Sequence, residues 1–202
     1  MKQLIVGITG ASGSVYAKRL VECLLQAGHR VHLVITDAGM EVANYELGWK
    51  LTGRLEEDQA FLAGLFGPGE DLRLYSNRQI GATLASGSFR TDGMIVIPAS
   101  MGTVSGIAGG RSENLLERTA DVVLKERRRL ILVPRETPMN AIHLENLLKL
   151  SRMGVEIIPA MPAFYNRPQT IADMVDFLVG RVLDHLDVDH ELFERWKGES
   201  AL

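Results

Sequence analysis

The sequence predicts an α/β fold, a parallel sheet covered on both faces by helices. Three observations carry this. Short β-rich apolar runs alternate with longer amphipathic ones along the 202 residues. The β-rich runs are apolar on both sides, which a strand tolerates only where both of its faces are covered. No repeat, low-complexity tract or linker divides the chain, so residues 1–202 read as one domain with about 187–202 as a C-terminal tail.

Taken in order, residues 4–9 read as the first strand, 14–27 as a helix closed by Gly28, and 30–36 as the second strand. Helical patterns at 37–47 and 56–66 precede the least regular stretch, 71–91, which holds a short strand at 72–75 and a loop at Ser86-Gly87-Ser88. A strand at 94–98 follows. In the helix at 113–127, Leu115, Leu116, Ala120, Val122 and Val123 share one face. Strands at 130–134 and 155–159 flank a helix at 141–153, and a helix at 171–186 closes the pattern.

Composition narrows the function. A net charge of −3 gives no general attraction to nucleic acid or anionic membrane, and Arg127-Arg128-Arg129 reads as a solvated helix end. Cys23 is the only cysteine, so no intrachain disulfide can form; with no signal-like or membrane-length apolar run, a cytoplasmic location is expected. The histidines pair with no cysteine or acid at ligand spacing, so no metal site is expected.

The chemistry gathers at the carboxyl ends of the strands, where open parallel sheets bind ligands. Those ends carry Thr9-Gly10-Ala11-Ser12-Gly13, Thr36-Asp37, Pro98-Ala99-Ser100-Met101-Gly102-Thr103, Pro134-Arg135-Glu136-Thr137-Pro138 and a segment from Pro159 to Tyr165. Small and hydroxyl-bearing residues are what turns need anyway, but five such loops on one edge favour a site. The glycine loop at 7–13 opens a helix, whose N-terminus suits a phosphate. It is not a P-loop, since no Gly-Lys-Ser/Thr follows. It is not a dinucleotide fingerprint either, because Tyr16 stands at the last glycine and no tyrosine has a lysine four residues on. Arg135 can hold a phosphate with its planar fork, and Glu136 beside it can exchange a proton. Arg118, Asp121 and Lys125 share a helix face and read first as a surface ion-pair ladder.

Together these segments resemble the flavin prenyltransferase family (UbiX type). The motifs are G-I-T-G-A-S-G at 7–13, S-G-S at 86–88, P-A-S-M-G-T at 98–103, N-L-L-E-R-T-A-D-V-V-L-K-E-R at 114–127, L-V-P-R-E-T-P at 132–138, P-A-F-Y-N-R-P-Q at 162–169, and the terminal Arg195-Trp196. The resemblance implies a flavodoxin-like, doubly wound, three-layered sheet assembled as a dodecamer. It implies an enzyme that joins dimethylallyl phosphate to reduced FMN at N5 and C6 without metal, making prenylated FMN for a UbiD-type decarboxylase. By position, Gly10, Ala11, Ser12, Thr36, Ser100, Met101, Gly102, Thr103 and Arg135 match flavin-contacting residues. Tyr165 and Arg181 match residues that hold the prenyl phosphate, joined by Lys125 from across a subunit junction. Glu46 and Glu136 match acidic positions near the reacting groups, with Ser12 close to flavin N5. Trp196 is a candidate wall residue. Thr119 stands where the family usually has alanine.

Three rivals remain. A flavin-dependent cysteine decarboxylase shares the P-A-S-x-x-T loop, but it uses a histidine after the second strand, where residues 37–47 have none. A non-catalytic FMN carrier would give Lys125, Glu136 and Arg181 no task. A nicotinamide oxidoreductase lacks its motifs here.

Overall fold

The computed structural model describes residues 1–195, so the candidate wall residue Trp196 lies outside the described residues. The chain forms two compact units, 1–160 and 161–202. The first is built on a six-stranded parallel sheet with strands β1 (Gln3–Ile8), β2 (Arg30–Ile35), β3 (Leu72–Ser76), β4 (Gly93–Ala99), β5 (Leu130–Pro134) and β6 (Glu156–Ile157). Their order across the sheet is β3-β2-β1-β4-β5-β6. The chain therefore winds outward from β1 to β3, then returns to start again on the other side of β1. The carboxyl ends of β1 and β4 flank that reversal, which is the crevice this topology creates.

Helix α1 (Ser14–Gln26) follows β1, and α2 (Asp37–Leu47) and α3 (Leu55–Phe66) lie between β2 and β3. Then come α4 (Met101–Ala108), α5 (Leu115–Lys125) and α6 (Ala141–Arg152). β1, β2, β4 and β5 are buried along nearly their whole length, as two-sided coverage demands. One face packs Val34, Met94, Val96 and Leu132 against Met101, Val104, Ile107, Leu116, Ala120 and Val123 of α4 and α5, with Leu150 of α6. On α1 the buried positions Ala17, Leu20, Val21 and Leu24 recur at helical spacing.

Three elements depart from the sequence expectation. Helix α4 has no counterpart in it, because Gly102 and Gly106 are weak helix formers and five buried apolar or glycine positions hide any period. The strand expected at 155–159 shrinks to the two residues of β6 at the sheet edge. Of the basic run 127–129, expected to be a solvated helix end, only Arg127 is exposed. Arg128 donates to the carbonyls of Phe89 (2.5 Å) and Gly87 (2.7 Å), and Arg129 lies 3.3 Å from Glu156. These side chains tie the Ser86-Gly87-Ser88 loop and β6 to the start of β5.

The second unit holds α7 (Ile171–His185), opened by a Thr170/Asp173 capping box. The tail turns back on this helix: a Cβ at Gly180 would fall 2.5 Å from Phe193 and 2.7 Å from His190. His190 and Arg195 both reach Asp184 of α7, at 3.1 and 2.6 Å.

Candidate active site

Three helix N-termini meet the loops that follow β1, β2 and β4. Ser100 caps α4, its Oγ accepting from the Thr103 amide and donating to Thr103 Oγ1 at 3.1 Å. Thr36 caps α2 through the Gly39 amide at 3.0 Å. α2 is drawn hard against the β1 end: a Cβ on Gly10 would sit 2.7 Å from Ala38, and one on Gly39 2.7 Å from the Ile8 carbonyl. Only glycine allows this approach, and it sets the Gly10–Gly13 loop beside the amino end of α2.

The β1 and β4 loops are joined by Thr9, a residue to which the sequence alone assigns no role. The Thr9 side chain is fully buried, and its hydroxyl donates to the Pro98 carbonyl and accepts from the Ser100 amide, each at 2.7 Å. Proline has no N–H to give the ladder, and the β4–β5 register shifts between Val96 and Ala99. Thr9 satisfies the groups left over there. The available signal was a threonine ending an apolar strand just before glycine.

At the opening of α1 an anion is already in place, and it belongs to the chain. Glu46, from the last turn of α2, accepts from the amides of Gly13 (3.0 Å) and Ser14 (2.8 Å). Burial pushes its carboxyl up, but hydrogen bonds from Ser12 and from those amides outweigh this and hold it below the ordinary glutamate value. Two amides that the glycine-loop reading offered to a phosphate are thus spent on Glu46, while Gly10, Ala11 and Ser12 remain at the crevice.

From β5, Arg135 donates its Nε to the Ser12 carbonyl at 3.1 Å, and its amide bonds to the Ala99 carbonyl at 3.3 Å. It therefore spans the β1, β4 and β5 loops. Glu136 is half-buried and accepts from the Thr137 amide at 3.0 Å. Met101 turns its side chain into the core, so only its backbone remains at the crevice. Gly102 is exposed, and a Cβ there would meet nothing within 4 Å among the described residues, so their packing does not require glycine at that position.

The structure brings Gly10, Ala11, Ser12, Thr36, Glu46, Ser100, Met101, Gly102, Thr103, Arg135 and Glu136 to one edge of the sheet. It does not bring Lys125 there. Lys125 ends α5 five residues before β5 begins, at the amino edge, whereas Arg135 follows the carboxyl end of that strand. A five-residue strand spans about 16 Å. The expected ladder is also partial: Arg118 pairs with Asp121 at 3.3 Å, but Lys125 pairs with its neighbour Glu126, also at 3.3 Å. In the second unit, the Tyr165 ring packs edge-on against Phe177 with centroids 5.6 Å apart. Arg181 lies one turn beyond Phe177 and bonds Asp184 at 3.1 Å. That spacing puts phenol and guanidinium on one side of α7. Among the described residues no group of three or more His, Cys, Asp or Glu side chains could hold a metal ion.

A doubly wound sheet with glycine, hydroxyl and arginine loops at its reversal point is the architecture of a nucleotide-type cofactor protein, and residues 1–183 match the family model described as Flavoprotein. The chain is 56% identical over 195 residues to the flavin prenyltransferase UbiX of Halalkalibacterium halodurans, covering 96% of this chain and 93% of that protein. Among solved structures it resembles AnUbiX in complex with FMN and dimethylallyl pyrophosphate, with a TM-score of 0.88, 38% identity and 98% of each chain covered. It also resembles a dodecameric FMN-dependent UbiX-like decarboxylase from Escherichia coli, with a TM-score of 0.87, 43% identity, and 97% of this chain and 100% of that one covered. The chain belongs to the flavin prenyltransferase family of UbiX type.

Proposed function

We propose that this chain transfers a dimethylallyl group from its phosphate ester to reduced FMN, forming bonds at N5 and C6 and releasing phosphate. The observation that carries this is the meeting of three helix N-termini with Arg135 and Glu136 at the sheet reversal. Donors of that kind suit a flavin phosphate and the polar edge of its ring. The AnUbiX complex, with FMN and a dimethylallyl ester bound to a closely similar chain, supports it.

Gly10, Ala11, Ser12, Thr36, Ser100, Met101, Gly102, Thr103 and Arg135 hold the flavin, Met101 through its backbone. FMN supplies the nucleophilic N5 and C6 centres; the chain supplies charge, protons and a dry wall. Glu46 stays ionised and is a weak base, so it orients the Ser12 hydroxyl rather than removing a proton outright. Glu136 exchanges the proton needed as phosphate leaves and the second bond closes. Tyr165 and Arg181 take the prenyl phosphate, where a cation offsets the charge that develops on the leaving group. Lys125 belongs to a neighbouring copy's site, since its own chain holds it at the far edge of the sheet. The same reading makes the chain a homo-oligomer, a dodecamer like the E. coli relative. It also treats residues 1–202 as a single flavoprotein domain, as the family model running through both compact units supports. The product goes to a UbiD-type decarboxylase, and the location is cytoplasmic. No helix among the described residues is long and apolar enough to cross a membrane.

The cysteine decarboxylase reading loses on α2, which carries no histidine, and on Cys23, which sits within α1. The test is to incubate the protein anaerobically with reduced FMN and dimethylallyl phosphate and to weigh the extracted flavin. A gain of one five-carbon unit is expected; flavin recovered unchanged refutes the reading and leaves the carrier. Glu136→Gln is expected to slow that gain by roughly 10²- to 10⁴-fold with FMN titration unaltered. Turnover equal to wild type would remove Glu136 from the chemistry.

A further inference from the structure

The outer face of α6 belongs to no part of the site. Its inner side packs Leu147 and Leu150 into the core beneath α4. Outward it presents Leu144 (55% exposed) and Leu148 (51% exposed), with Ile142 and Met153 exposed near its two ends. Leu144 and Leu148 are one turn apart, so they form a stripe rather than scattered positions. Isolated exposed leucines need no explanation, but a continuous apolar stripe marks a docking surface. Glu145, Leu148, Lys149, Arg152 and Met153 line a shallow depression along it. Among the described residues Glu145, Lys149 and Arg152 make no ion pair within the chain.

The charges on this stripe are ordered: an acid toward the amino end, two bases toward the carboxyl end. A helix with that pattern is complementary to itself when a second copy lies antiparallel to it. A two-fold axis beside Leu148 sets Glu145 of each copy against the partner's Arg152, twice, and brings the two Leu148 side chains together. An isologous contact of this kind needs no second surface. We infer that the outer face of α6 is a two-fold interface between copies of this chain, joined by Leu144 and Leu148 and registered by Glu145 with Arg152. The inference rests on the homo-oligomer reading above and gives it a specific contact. A helix of this length is about 18 Å long, and one face of it covers less than the roughly 800 Å² per partner of a stable pair. α6 is therefore one joint among several in a larger closed assembly, and breaking it releases smaller oligomers rather than single chains.

The experiment measures the mass of the intact protein in solution by light scattering after gel filtration, and by native mass spectrometry. Leu148→Asp is expected to lower the assembly mass to a smaller oligomer with an unchanged far-ultraviolet circular dichroism spectrum, since Leu148 is half exposed within the chain. Glu145→Arg is expected to do the same, and adding Arg152→Glu to it is expected to restore the wild-type mass. A Leu148→Asp or Glu145→Arg protein that keeps the wild-type mass removes α6 from the interface while leaving the homo-oligomer in place. A double variant as small as the single one overturns the Glu145–Arg152 register. A wild-type protein that is itself a single chain overturns both the interface and the oligomer reading.

Discussion

The two edges of the sheet use arginine in opposite ways. At the amino edge, Arg128 gives both terminal nitrogens to backbone carbonyls of the 86–89 loop, and Arg129 pairs with Glu156. At the carboxyl edge, Arg135 gives one Nε–H to a single carbonyl, and its terminal nitrogens make no hydrogen bond among the described residues. Hydroxyls divide in the same way: Thr9 is wholly committed to stitching β1 to β4, whereas Ser12 stays exposed beside Glu46. One edge is tied internally, and the other is preorganised with capacity left over. A residue's type does not distinguish these roles; its remaining hydrogen-bonding capacity does.

The largest expected effects set these arginines against each other. Arg135→Ala should leave the melting temperature near wild type but weaken FMN by roughly 10- to 100-fold, the worth of a charged hydrogen bond of about 1.5–3 kcal/mol. Arg128→Ala should do the reverse. Losing two charged hydrogen bonds to a loop costs about 3 kcal/mol or more, a fall of roughly 6–12 °C for a chain of this size, with FMN binding kept. Thermal melts and flavin titrations of the two variants check this. If both variants lose the same property, the contrast between the edges fails.

Gly102→Ala sharpens the carboxyl edge. Among the described residues nothing opposes a Cβ there, and alanine improves a helix position by up to about 1 kcal/mol. The variant should therefore melt at or above the wild-type temperature. If the glycine is there for a ligand, flavin affinity should drop at least several-fold; unchanged affinity would make Gly102 an ordinary turn residue.

His32 probes the tied edge through pH. It lies in the amino half of β2, its Nδ1 3.1 Å from the Tyr75 hydroxyl and its ring edge-on to Phe89, whose carbonyl Arg128 holds. Its Nε2 is 3.3 Å from Gln3 Oε1. Burial, with Arg30 and Arg73 nearby, pushes its pKa down to about 4, against about 6.5 in an unfolded chain. Between those values the unfolded state binds more protons, so this contribution to stability is complete above pH 6.5 and is lost progressively as pH falls toward 4. The melting temperature should decline over that window, and His32→Gln should flatten the decline. An identical profile in the variant would show that the carboxylates alone set it.

Much of this was legible beforehand because strands buried on both faces leave continuous apolar runs, and because loops at strand ends keep their order in space. The residues of the carboxyl edge could be placed on one side from that order alone. What stayed hidden depends on partners distant in sequence. Glu46 reaches the α1 amides from 32 residues away, and Arg128 reaches Gly87 from 41, so neither role leaves a local pattern. Helix α4 was invisible for the opposite reason: it is short and built mostly of small and apolar residues, and its glycines imitate a loop.

The smallest effect expected lies midway between the edges, on α5. Thr119 is fully buried, and among the described residues its hydroxyl has no hydrogen-bond partner. An unmet buried hydroxyl costs about 1–3 kcal/mol, part of it recovered by the contacts of its methyl group. Thr119→Val keeps the shape and removes the hydroxyl, so it should raise stability by about 1 kcal/mol, or roughly 2–4 °C. Thr119→Ala removes the methyl as well but gains helix propensity, and should fall near wild type. Thr119→Ser, which keeps the hydroxyl and loses the methyl, should be the least stable of the three. Melting curves in the order Val, Ala, Ser would show that the residue is a tolerated defect in packing with no share in either edge. A valine variant less stable than wild type would mean that the hydroxyl finds a partner, and the middle of α5 would then belong with the tied amino edge.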